Sequence, residues 1–299
     1  MVSPLAVAFL ADLESRWGRL RKLPNSKSLF DVAGRARVYL RYSKVHKGST
    51  FFGLRKIDLL QLDGFPSFLC LLWDGQPAPL VIPYEDFRDV FANVEPAGDG
   101  QYKVHAELKR EGTDLRIAHA GLFGVDAYFG IDSLVNVVET KPLVHPTPDF
   151  THPQVQTLLG AIGSKSGYLI WTPLADRLQL DWTLAGQFPL AESLPEVGRL
   201  AVSLVLQQID VIWLDARRNT ISAAFEVEHT TPIYSGLLRF NDVHIDLKLP
   251  RAAVVSREER RSVFVRQVNR RTFQASGLSE VCVFYEYSDI YNWFLRQRN

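Results

Sequence analysis

The sequence predicts an α+β chain of two domains, a β-rich one over residues 1–147 and an α/β one with a mixed sheet over 148–299. Three features carry this expectation. Between residues 36 and 140, short apolar or alternating runs are separated by turn residues, the pattern of strands. The stretch Lys141–Pro153 holds Pro142, Pro146, Pro148 and Pro153, which lack backbone donors and restrict the residue before each, so regular structure should stop there. Beyond it, helical and strand patterns alternate to the C-terminus.

Element by element, Ser3 and Pro4 mark a helix start, and Leu5, Phe9, Leu13, Trp17 and Leu20 follow at helical spacing. Arg37–Tyr42 reads as a strand, with Val38, Leu40 and Tyr42 alternating against Arg37, Tyr39 and Arg41. Phe68–Trp73 is a continuous apolar run stopped by the turn pair Asp74-Gly75. Leu80–Ile82 ends at Pro83, and Tyr84–Phe91 reads as a short helix with Phe87 and Phe91 on one face. Tyr102–Leu108 and Leu115–Ala118 flank Glu111-Gly112-Thr113-Asp114 as a hairpin. In the second half, helices are expected over Pro153–Ile162, Ser235–Val243, Arg257–Phe273 and Ile290–Leu295. Strands are expected over Tyr168–Pro173, Gln208–Trp213, Ser222–His229, Ala252–Ser256 and Glu280–Tyr285.

The net charge of +1 excludes a polybasic chain, but the charge is uneven. Residues 1–56 hold twelve Lys or Arg against three acids, Asp12, Glu14 and Asp31, a local net of +9. Clustered charge sets the field that a phosphate backbone would feel. Arg35, Arg37, Arg41, Lys44, Lys47, Arg55 and Lys56 are interleaved with Tyr39, Tyr42, His46, Phe51 and Phe52. Basic groups for phosphates and aromatics for bases suit a DNA-binding surface, with Gly48-Ser49-Thr50 as the turn that presents them. The bland alternative makes Phe51 and Phe52 core and the charges a solvated edge. Cys70 and Cys282 each sit in an apolar run, without the neighbours of a zinc site, so two buried thiols in a reducing, cytoplasmic setting are expected. Leu5–Ala11 is too short to cross a membrane, and no membrane partner is expected.

The chemistry concentrates in Ile209-Asp210-Val211-Ile212-Trp213 and Phe225-Glu226-Val227-Glu228-His229. Acids inside apolar strands are costly unless partnered, and three that converge repel one another. A divalent cation relieves both problems. Asp215–Thr220, with Arg217, Arg218 and Asn219, supplies the turn that would bring the two strands together.

The order of helix, strand, Asp-bearing strand, Glu-bearing strand, helix, strand, helix resembles the PD-(D/E)XK, or restriction-endonuclease-like, nuclease superfamily. The resemblance covers roughly residues 150–295 and extends through Ala224–Arg239 and through Gly167–Trp171 with Asp176-Arg177. It implies a metal-dependent DNA endonuclease of restriction or defence type, with DNA as partner and Mg²⁺ as cofactor, Mn²⁺ substituting. Asp210, Glu226 and Glu228 would be catalytic, and Asp210, Glu226 and the Val227 carbonyl would hold the metal. Glu228 stands where the family usually has lysine, which favours a two-metal site. Gln154 and Gln156 stand on the helix where members often carry Glu; an amide oxygen ligates weakly and brings no charge. His229 either orients a ligand or is a hydrogen-bonded structural residue. Thr230 and Thr231 suit a helix cap. Arg239 either approaches the scissile phosphate or pairs with an acid. The arginines of Arg257–Phe273 read as a solvated face or as phosphate contacts. A homodimer is compatible with the sequence. The alternative function is a catalytically inactive member of the same fold that binds nucleic acid or regulates.

Overall fold

Pro4 opens α1 (Pro4–Trp17), with Ser3 extended before it and Ala6, Phe9 and Leu13 buried along one face. The helix ends at Gly18, whose positive φ reverses the chain, so Leu20 lies beyond it. The computed structural model describes residues 3–139, 147–196 and 199–298 and divides into two units, residues 1–144 and 145–299. Of the proline-rich stretch, Pro142 and Pro146 lie outside the described residues, Pro148 is in coil, and Pro153 is in the first turn of a helix, where its missing donor costs nothing.

The first unit holds two sheets. One has the order β1 (Arg21–Lys22), β2 (Leu29–Val32), β3 (Ala36–Ser43), β5 (Ser67–Trp73), β6 (Leu80–Pro83), with β3 and β5 parallel and the other pairs antiparallel. The second is antiparallel in the order β4 (Phe52–Arg55), β7 (Gln101–Lys109), β8 (Gly112–Ile117), β9 (Gly121–Gly124). Helices α2 (Lys56–Leu60), α3 (Tyr84–Ala92) and α4 (Asp132–Glu139) complete it. Val38, Leu40, Cys70 and Val81 pack against α1 and α4. Tyr39, Leu69, Leu71 and Ile82 point the other way, into a core shared with β4, β7, β8 and α3.

The expected strand over Arg37–Tyr42 is β3, which that sandwich covers on both faces and buries from Ala36 to Leu40. Arg37 is only 3% exposed; its guanidinium lies over the Phe65 ring and donates to the Gln61 carbonyl. It is unavailable to a phosphate. The β7–β8 turn is also tighter than expected, since Lys109 pairs with Gly112 and leaves Arg110 and Glu111 as the loop.

The second unit is a three-layer structure on one mixed sheet. Its order is β10 (Leu169–Trp171), β11 (Val211–Asp215), β12 (Thr220–Val227), β13 (Ala252–Ser256), β14 (Cys282–Glu286); the first two pairings are antiparallel and the last two parallel. One face packs Ile212, Leu214, Ala224, Val254 and Phe284 against α8 (Ile233–Leu247), α9 (Arg261–Val268) and α10 (Arg271–Ser276). The other face carries Trp213 against α5 (His152–Lys165) and α11 (Tyr287–Arg298), where the indole donates to the Leu159 carbonyl at 3.0 Å and meets the Trp293 ring at 5.7 Å. Helices α6 (Trp182–Ala185) and α7 (Leu200–Leu206) precede β11.

The expected single helix Arg257–Phe273 is broken at Asn269–Arg270. Phe264 and Val268 bury one face of α9, but an unbroken helix would next bury Arg271 or Thr272. The break turns Phe273 inward instead, and the Asn269 side chain caps the Val265 carbonyl at 2.8 Å. Both cysteines are free and buried, and burial pushes both thiols up. Among the described residues, no helix is long and apolar enough to cross a membrane.

Candidate active site

The antiparallel register sets Val211 opposite Phe225, so Asp210, one residue before β11, comes level with the end of β12. Strand alternation places Glu226 with Ala224 on the α8 side of the sheet, while Asp210 lies in the bend before β11. The Asp210 carboxylate accepts the Val227 N–H at 2.7 Å. The expected strand over Gln208–Trp213 is displaced to Val211–Asp215, and β12 stops at Val227, so Glu228 and His229 lie just past its end. The Glu228 N–H nevertheless donates to the Val255 carbonyl at 2.9 Å, so the chain stays on the sheet.

Helix α8 crosses closely above these acids because residue 236 is glycine. A Cβ there would sit 2.6 Å from Glu228 Oε1 and 3.2 Å from Glu226 Cβ, so a side chain would fill the space the two carboxylates occupy. Glu226 is 0% exposed and Glu228 is 1% exposed. Burial drives both carboxyls up, Glu226 well above the usual carboxylate range; Asp210 adds to the rise, while Arg239 opposes it.

Each acid has partners from the chain itself. Arg239 reaches down from α8 and grips Glu226 with both forks, Nε to Oε1 at 2.7 Å and an Nη to Oε2 at 2.6 Å. The same Nη lies 3.8 Å from Glu228 Oε1. That contact with Glu226 holds Arg239 protonated. Thr231 Oγ1 donates to Glu228 Oε2, whereas Glu228 Oε1 is buried with no hydrogen-bond partner among the described residues. His152, the first residue of α5, sets its Nε2 3.2 Å from the Asp210 carboxylate. Burial opposes the charged imidazole, but the Asp210 hydrogen bond and charge, with Asp176 and Glu228 behind it, raise its pKa overall. Gln156 is fully buried one turn along α5 and donates to Asp176 at 2.9 Å and to the Asp210 carbonyl at 3.4 Å.

The remaining expected residues lie apart from this cluster. Gln154 occupies the third position of α5, and its oxygen accepts the Thr151 N–H at 3.0 Å. Its amide also donates to Asp181 at 3.1 Å, so it serves the helix N-terminus and not the acids. His229 pairs through Nδ1 with the Tyr287 hydroxyl at 3.1 Å and stacks on that ring, a structural role. Arg260 holds the loop between β12 and α8, donating to the carbonyls of Glu228 at 2.6 Å, His229 at 3.2 Å and Thr231. Sequence reasoning missed His152, hidden beside prolines, and gave Asp176 and Gly236 no chemical role.

In the first unit, Lys44 and Lys47 are exposed, while Arg41 and Lys56 are half-buried. Arg55 is engaged by Asp58 at 3.2 Å and by the Asn25 carbonyl at 3.0 Å. The two phenylalanines divide: Phe52 is core, and Phe51 is 48% exposed beside the His105 ring.

The donor set suits a hard divalent cation in kind, three carboxylates with one buried oxygen unused. Among the described residues, no group of three His, Cys, Asp or Glu is placed to hold a metal as it stands. Arg239 spans both oxygens of Glu226, and Thr231 takes one of Glu228. No curated protein and no solved structure matches the chain. A family model, the type II restriction enzyme NmeDI C-terminal domain, matches residues 138–298, which include every member of the acid cluster. That match spans more than half of the 299 residues, and the chain therefore belongs to the family of the type II restriction enzyme NmeDI C-terminal domain.

Proposed function

We propose that this protein is a Mg²⁺-dependent DNA endonuclease of restriction type with a PD-(D/E)XK core. In this reading Asp210, Glu226 and Glu228 hold the metal, with the Val227 carbonyl as a further oxygen donor. The observation that carries it is the convergence of three carboxylates at the ends of β11 and β12, within the residues matched by a restriction-enzyme family. A bound Mg²⁺ would polarise a phosphate oxygen and acidify a water. The chain's own residues prepare for that. His152 and the Val227 N–H orient Asp210, Gly236 leaves room for the carboxylates, and the unused oxygen of Glu228 is a vacant donor.

The first unit is proposed to read DNA, through Arg41, Lys44, Lys47 and Lys56 with the exposed ring of Phe51. Arg37 and Arg55 are excluded from that set by their internal partners. One observation favours a second reading, a DNA-binding protein without cleavage: the tripeptide ends in Glu228, and Arg239 already neutralises Glu226.

The test is incubation with supercoiled plasmid, methylated and unmethylated, in Mg²⁺, Mn²⁺ or EDTA. Cleavage that needs the divalent cation is expected, and Asp210→Ala and Glu226→Ala should each abolish it while binding in EDTA survives. Wild-type cleavage by either variant refutes the site. Binding without cleavage under every condition establishes the second reading.

A further inference from the structure

Position 228 brings a negative charge where the resembled family usually brings a positive one, yet the cluster does not lack a cation. Arg239 supplies it from α8, held by two charge-assisted hydrogen bonds to a fully buried carboxylate. We propose that Arg239 is the resident counter-ion of the cluster and that a divalent cation must compete with it for Glu226; this rests on the metal-dependent reading above.

Geometry supports a competitor over a permanent clamp. Each oxygen of Glu226 already accepts from the guanidinium, so a metal on that carboxylate would be left the remaining lone-pair sites with a positive charge held beside it while Arg239 stays. Arg239 is 30% exposed while its partner is 0% exposed, so one end of the pair reaches solvent. A long arginine side chain on a helix can move away without shifting the backbone, unlike a charge carried on a strand residue. Asp210 is differently provided for, by a backbone N–H and by His152, a partner that is neutral in its deprotonated form. Among the described residues, the guanidinium of Arg239 is therefore the one permanently charged partner of Glu226, and it also faces Glu228. While it stays, the buried acids are tolerated without metal. Once released, it carries a planar fork suited to a phosphate.

The test uses the full chain, with Mn²⁺ as the probe and no DNA. Wild type, Arg239→Gln and Arg239→Lys are titrated by electron paramagnetic resonance of free Mn²⁺. Each titration is run at several pH values from neutral to alkaline, so that a proton and the guanidinium are told apart as competitors for Glu226. Losing a bidentate charged competitor should tighten Mn²⁺ binding by Arg239→Gln about tenfold or more. In EDTA the same variant should melt about 5–15 °C below wild type, because a buried carboxylate loses its partner, and Mn²⁺ should restore most of the difference. Arg239→Lys, which keeps the charge without the fork, should fall between the two and carries the test if Arg239→Gln does not fold. Mn²⁺ binding by wild type with neither variant binding tighter overturns the competition alone. No Mn²⁺ binding by any of the three overturns both the competition and the metal-dependent reading.

Discussion

Gly236→Ala isolates the closest approach in the acid cluster. The added Cβ would stand 2.6 Å from Glu228 Oε1, and 3.2 and 3.3 Å from Cβ and Cγ of Glu226. Ordinary contact begins at 3.4 Å, so the Glu228 oxygen must retreat by about 0.8 Å. The backbone at 236 is helical, and alanine there gains about 0.8–1 kcal/mol of helix propensity over glycine. Overpacking costs about 1–3 kcal/mol. The two effects nearly offset, leaving a loss of about 0–2 kcal/mol, or a Tm lower by about 0–8 °C for a unit of this size. Catalysis should respond far more, because misplacing a reacting group by about 1 Å costs about a hundredfold. The assay is single-turnover plasmid cleavage beside thermal melting of the same preparation. A variant that melts near wild type and cleaves about a hundredfold more slowly is expected. Cleavage within a few-fold of wild type would show that the packing of α8 onto these acids is irrelevant to the chemistry.

The two glutamines of α5 should separate. Gln154→Ala loses a helix-terminal partner worth about 1 kcal/mol and keeps cleavage, whereas Gln156→Ala slows cleavage by releasing Asp176 and the backbone of Asp210; equal effects on cleavage would contradict this. Replacing Lys44 and Lys47 with Gln should flatten the slope of log affinity against log salt by roughly 0.9 per lost phosphate contact. Arg37→Ala should lower Tm and leave that slope alone, a difference that salt titration and melting together will read. Cys70 and Cys282 should be inert to a thiol reagent in the native protein and react together on unfolding; one fast thiol would refute their burial.

The parts of this fold visible in the sequence are those whose pattern is local. The apolar end of β12, the apolar run of β5 and the Ser-Pro start of α1 each follow from residues within one turn or strand of each other. The acids stood out for the same reason, as charges inside apolar runs. What stayed hidden depends on distant partners. His152 meets Asp210 across 58 residues, and the burial of Arg37 depends on a second sheet covering β3. Helix α7 left no signal because Leu200–Leu206 is apolar but for Ser203 and so shows no helical period; only the fold turns Val202 and Leu206 inward and leaves Leu200 and Leu204 76% and 51% exposed. The charged segment after β13 kept a helical period only as far as Val268, and the shift to Phe273 was the mark of its break. Arg239 was recognised as either a phosphate or an acid partner; only the short crossing permitted by Gly236 decides for the acid.

The backbone of Glu228 is held from both sides. Its N–H donates to Val255, and its carbonyl accepts from the Ser256 hydroxyl and from Arg260, which also secures the carbonyls of His229 and Thr231. Four consecutive residues leaving the sheet are thereby ordered when the chain folds. Immobilising a flexible side chain at a binding surface costs about 0.5–1.5 kcal/mol, and ordering a loop adds to that. Here the loop's entropy is already lost before any ligand arrives. Whatever engages Glu228 needs to fix a rotamer and nothing more of this segment. An incoming group therefore meets a tariff set by its own desolvation, and the segment contributes to affinity through rigidity established far from the carboxylate itself.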